Sequence, residues 1–149
     1  ACPHKSGLGW VALAVTGSFI AVQWMGYKVS QARKLYNVPY PKMYDDDKPV
    51  YNCTQRAHQN ALEQHYQVIA LTTLASTLSC PLASAALMGV WTVGRVVYAL
   101  GYQTGEPDNR KYGAFIFYPA ILGLLGMTVV GALAKIGLIK NPLPYSRCH

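Results

Sequence analysis

Charge is what this sequence has least of. Only 13% of its 149 residues are Asp, Glu, Lys or Arg, against roughly a quarter in soluble domains. Apolar residues make up 52% and run in long stretches broken mainly by Gly and other small residues. That pattern argues against an ordinary soluble domain and for a single integral membrane domain. Cysteine spacing of the metal-binding kind is also missing. Cys2, Cys53, Cys80 and Cys148 show neither C-x-x-C nor zinc-site intervals, so no disulfide or zinc site is implied. Cys2-Pro3-His4 and Cys148-His149 look like metal-binding fragments but read as loose terminal residues, with Cys148 unmodified. Asp45-Asp46-Asp47 lacks the alternate spacing and the glycine of a calcium loop and reads as a solvated turn. No cleavable signal peptide is evident, because the first apolar run is too long and has no clear cleavage site. Internal repeats and low-complexity segments are absent.

What is present is a set of four helix-length segments, at about residues 7–29, 54–78, 82–102 and 113–139, apolar but for the polar first half of the second. Each is near the ~20 residues that cross a bilayer, so the expected fold is an all-α integral membrane protein with four transmembrane helices in a bundle. Trp10, Trp24 and Tyr27 sit near the ends of the first segment, where interfacial aromatics collect. Ala85 and Gly89 are spaced for close backbone approach to a neighbour. The net charge of +7 does not signal nucleic acid, because the basic residues lie in loops beside apolar spans, where anionic headgroups account for them. Arg33, Lys34, Lys42, Lys48, Arg56, Arg110 and Lys111 fall on the side of the two long loops, and only Lys5, Lys140 and Arg147 on the other. The long loops are therefore expected to face the cytoplasm, and the sequon Asn52-Cys53-Thr54 to be silent.

Two polar stripes interrupt these spans. Arg56, Asn60 and Glu63 recur at i, i+4 and i+7 at the start of the second helix, so their side chains share a face. A cation, an amide and a carboxylate at membrane depth are unfavourable unless something uses them. Together they offer a fork for a carboxylate, a two-way hydrogen-bonding group and an acceptor for an ammonium, as a small zwitterionic peptide requires. Arg95, Tyr98 and Tyr102 repeat the pattern on the third helix. An intramembrane Arg95 needs a partner, and Glu63 on the antiparallel neighbour is the expected one.

The stretches R-A-H-Q-N-A-L-E (Arg56–Glu63), G-R-V-V-Y-A-L-G-Y (Gly94–Tyr102) and T-G-E-P (Thr104–Pro107) resemble those of the MAPEG family, the membrane-associated proteins of eicosanoid and glutathione metabolism. The likeness covers nearly the whole chain, from S-Q-A-R-K after the first helix to the terminal Cys-His. It implies a homotrimer of four-helix subunits that binds glutathione between neighbours, near the cytoplasmic face. By position, Arg56, Asn60, Glu63, Tyr98 and Tyr102 hold the peptide from one subunit and Arg33 reaches it from the next. In family members with a thiol-activating arginine, that residue lies seven positions beyond the second tyrosine. Here that position is Asn109, and the adjacent Arg110 is the expected catalytic group, one residue of loop length away.

The resemblance also implies a reaction. A free thiol has a pKa of about 8.5, and an arginine beside the sulfur favours the thiolate. The thiolate would then attack a lipophilic electrophile or reduce a lipid hydroperoxide in the endoplasmic reticulum or a mitochondrial membrane. Against the family pattern, Gln64-His65-Tyr66 stands where relatives place an aromatic residue and a proline. The alternatives are a non-catalytic lipid-binding member of the fold and a structural accessory subunit of a larger membrane complex.

Overall fold

The computed structural model describes residues 3–140, with side chains from Gly7 onward. The expectations for Cys2 and for Cys148-His149 lie outside the described residues. The described residues form four helices: α1 (Pro3–Leu35), α2 (Pro49–Leu78), α3 (Pro81–Tyr102) and α4 (Lys111–Lys135), with a 3-10 turn at Pro107–Arg110 before α4. There is no strand among the described residues. α3 is the centre of the bundle and packs against each of the other three helices. The turn at Ser79 and Cys80 folds it back antiparallel to α2.

Among the described residues, three helices are long and apolar enough to cross a membrane: α1 from Gly7, α3, and α4 together with its preceding turn. α2 runs the length of the same bundle, roughly 45 Å for its 30 residues, but its polar first half keeps it below that standard. The outward surface carries Leu13, Phe19, Ile20, Phe115 and Leu122, all largely exposed. Such a skin is unfavourable in water and suits hydrocarbon.

The helix ends differ from the expected ones for local reasons. α1 continues six residues past the expected 29, because Ser30–Leu35 contains no breaker. It stops where Asn37 adopts φ 54° and the Val38 N–H returns to the Arg33 carbonyl at 3.0 Å, the left-handed closure that Asn and Gly tolerate. Gly137, at φ 81°, closes α4 in the same way through Leu138 N–H to Leu133 O at 3.0 Å. α4 therefore ends at Lys135 rather than at 139. Pro49 and Pro81 sit in the first turns of α2 and α3, where a missing N–H is harmless.

Close approach occurs at places other than the expected pair. A Cβ on Gly94 would lie 2.8 Å from the Phe117 Cβ, and one on Gly113 would collide with the backbone nitrogen of Tyr98. α3 and α4 therefore meet backbone to backbone. Ala85 is buried, but a Cβ on Gly89 would meet nothing within 4 Å among the described residues. Trp91, Met88, Phe117 and Leu124 fill the interior around this seam. Cys80 is disulfide-bonded, where the scattered spacing implied no disulfide, and Cys53 is the one free cysteine among the described residues.

Candidate functional site

The polar stripe of α2 divides in two. At 100° per residue Arg56 and Glu63 lie about 20° apart on one edge, and Asn60 and Gln64 about 40° apart on the edge facing α3. Nη1 of Arg56 accordingly pairs with Oε1 of Glu63 at 3.0 Å, with both side chains close to half exposed. Arg95 does not reach Glu63, against the expectation. Its Nη1 donates to Asn60 Oδ1 at 2.8 Å and its Nη2 to Gln64 Oε1. Its guanidinium also stands 4.0 Å from the centre of the Phe117 ring, a favourable stacking geometry for a desolvated cation.

Above this layer lies a cavity of about 330 Å³, lined by Arg56, Asn60, Tyr98, Tyr102 and Arg110. α4 completes it with Lys111, Ala114, Phe117 and Tyr118. Three cations line the cavity and no carboxylate does. Nη1 of Arg110 donates to the Tyr102 hydroxyl at 2.9 Å. The rings of Tyr98 and Tyr102 meet edge to face, their centroids 5.6 Å apart, and Tyr98 makes a second such contact with Phe117.

Arg110 reaches the cavity because of how the preceding turn is seated. A Cβ on Gly101 would stand 2.5 Å from the Asn109 carbonyl oxygen, so only glycine lets the turn rest on the end of α3. Asn109 faces away and donates from Nδ2 to Thr104 Oγ1 at 3.0 Å. Of the two adjacent residues, Arg110 lines the cavity.

The structure brings together Arg56, Asn60, Tyr98, Tyr102 and Arg110, with Glu63 beside them through Arg56. Arg33 is elsewhere. It donates to the Lys42 carbonyl at 2.8 Å and lies over the rings of Tyr40 and Tyr51. Sequence reasoning missed Lys111 and Tyr118, whose i, i+3, i+7 spacing with Ala114 was a usable signal. It also missed Gln64 as a partner of Arg95.

A second space of about 430 Å³, almost wholly apolar, continues along the outside of α4 between Phe115, Pro119 and Leu122. It shares Lys111, Ala114 and Tyr118 with the polar cavity. No cluster of metal-ligating side chains occurs among the described residues.

The arrangement can hold an anionic, hydrogen-bonding ligand against guanidinium and phenol groups, next to a greasy groove. In comparison with known families, the model of the MAPEG family matches residues 11–130.

Proposed function

The chain belongs to the MAPEG family, and from that premise we propose that it is a membrane glutathione transferase or peroxidase acting on lipophilic electrophiles or lipid hydroperoxides. Within the family its motifs resemble those of microsomal glutathione S-transferase 3. One observation carries the reading: Arg56, Asn60, Tyr98, Tyr102 and Arg110 converge on a single cavity whose lining contains no carboxylate. Glutathione fits that donor set, having two carboxylates for the guanidinium groups, and Glu63 stands close by as the acceptor for its ammonium.

Bound glutathione supplies the nucleophile, a thiolate that opens an epoxide, adds to an activated alkene or reduces a lipid hydroperoxide. The protein's part is electrostatic. Arg56 and Asn60 hold the peptide from the rigid α2, while Arg110, at a turn-to-helix junction, places a positive charge near the thiol. The apolar groove along α4 gives a lipophilic partner a route from the bilayer to that thiol.

A homotrimer is part of the same proposal. α2 leaves Glu63, Tyr66, Gln67, Thr73 and Thr77 exposed along one side, an unfavourable stripe to offer lipid and one that a neighbouring copy would cover. In that assembly Arg33 comes to the cavity from the adjacent subunit. The membrane is that of the endoplasmic reticulum, with a mitochondrial membrane as the alternative, and the long loops are cytoplasmic.

The test is glutathione binding by detergent-purified protein, followed with the ultraviolet absorbance of the thiolate. Binding with the thiol pKa brought below about 8.5 is the expected result. Binding with an unshifted thiol leaves a non-catalytic member of the family, and no binding leaves a scaffold.

A further inference from the structure

Arg95 is the most deeply held charge among the described residues, at 1% exposure, and none of their carboxylates touches it. Its contacts are amides and rings: Asn60 Oδ1 at 2.8 Å, Gln64 Oε1, and the faces of Phe117, Tyr98 and Trp91. Its Nε finds no acceptor among the described residues. A guanidinium has five N–H donors and nothing that accepts. Any amide pressed against it must turn its oxygen inward, whichever way the amide would otherwise point. Asn60 is thereby polarised in orientation. Its oxygen is spent on Arg95, its side chain makes no other hydrogen bond among the described residues, and only its NH₂ is left for the cavity it lines.

We propose that Arg95, braced by Gln64, is a positioning residue that fixes Asn60 as a hydrogen-bond donor, so that the α2 wall of the cavity selects a carboxylate or carbonyl oxygen of the bound peptide and not its ammonium. This rests on the proposed glutathione site and narrows it: Asn60 is no longer a two-way group, and the ammonium is left to Glu63. The neighbouring charges agree, since Arg56, Arg110 and Lys111 line the same cavity. It also gives Gln64 a purpose. An amide at that position meets the second nitrogen of Arg95 without neutralising it, so the guanidinium keeps its hold on Asn60 and its positive field behind the cavity.

Two measurements test this. In Asn60→Asp the new carboxylate still accepts from Arg95, so the fold is retained, but the wall loses its N–H donors and gains a negative charge. The expected result is a thermal midpoint at or above the parent's with glutathione binding weakened at least about tenfold. Binding equal to or tighter than the parent's overturns the proposal, because an acceptor facing an ammonium would be improved by that charge. The second is a double-mutant cycle on thermal stability without glutathione, using Asn60→Leu and Arg95→Met, with Arg95→Lys if the methionine variant does not fold. Strong non-additivity is expected, and additive effects overturn the orienting contact. A parent that binds no glutathione overturns the proposed function and the ligand half of this inference, while the cycle decides the Arg95–Asn60 link on its own.

Discussion

The Tyr102 hydroxyl accepts a hydrogen bond from Nη1 of Arg110 at 2.9 Å, and the same guanidinium stands 5.2 Å from the centre of the Tyr102 ring. The tyrosine thus holds a mobile-stemmed cation at the cavity edge. Arg110→Ala is expected to leave glutathione affinity within a few-fold of the parent while raising the bound thiol's pKa. Turnover then falls more at neutral pH, where little thiolate remains, than at alkaline pH, where the thiol ionises unaided. Tyr102→Phe is expected to give a weaker form of the same shift. Thiolate absorbance against pH for both variants is the measurement.

Arg56 is predicted to act on binding instead. It sits on a regular helix and already bonds a carboxylate, that of Glu63. Charge-assisted hydrogen bonds contribute roughly 1.5–3 kcal/mol, so Arg56→Ala should weaken glutathione binding by about one to two decades, as titration calorimetry would read. A thiol pKa unchanged in the fraction that still binds would separate it from Arg110.

The α3–α4 seam makes a sharp contrast between glycines. Gly113→Ala would drive a methyl group into the backbone of α3, whereas a Cβ on Gly126 meets nothing within 4 Å among the described residues. Overpacking of this kind destabilises by about 1–3 kcal/mol. Gly113→Ala should lower the thermal midpoint in detergent and Gly126→Ala should leave it level or slightly higher.

Lys42 Nζ and Asp45 Oδ2 stand 3.0 Å apart in the first long loop. That hydrogen bond holds the Asp45 carboxyl below its ordinary range. Folding lowers the carboxyl's pKa, so the pair's contribution is complete above the unfolded value of about 4 and fades as pH falls through the lowered folded value. Carboxyl titration by NMR should show Asp45 below the ordinary value, and Lys42→Met should raise it toward that value.

Orientation needs a probe other than Asn52. Both ends of that amide are occupied by the Asp45 backbone, at 2.7 and 2.9 Å, so a silent sequon says little about sidedness. Asp46 is exposed in the same loop. With the long loops cytoplasmic, Asp46→Cys in sealed microsomes should react with a membrane-impermeant maleimide. Protection until detergent is added would reverse the orientation.

The helices were legible because apolar runs of bilayer length have few other readings, and the cavity because four of its polar residues repeat at helical spacing. Helix ends were not, since they turn on left-handed closures at Asn37 and Gly137 rather than on the prolines that lie further along. The partner of Arg95 was misread for a geometric reason. Asn60 and Gln64 face α3, and Glu63 is rotated roughly 60° away from Asn60, back toward Arg56. A charge-matching rule favours Glu63, but the helical wheel favours the amides. Arg33 remains a proposal about a neighbouring copy, and Glu63 one about the ammonium of the bound peptide.

The seat of the 3-10 turn on Gly101 has a consequence for how such a chain tolerates changes in loop length. The contact pins the backbone at Asn109, one residue ahead of Arg110. An extra residue upstream would be absorbed before the pin, and the register of everything after it would be kept. A bulkier residue at 101 would lift the pin and let any insertion propagate into α4. The glycine at 101 thus acts as the index mark from which the reach of a guanidinium is measured.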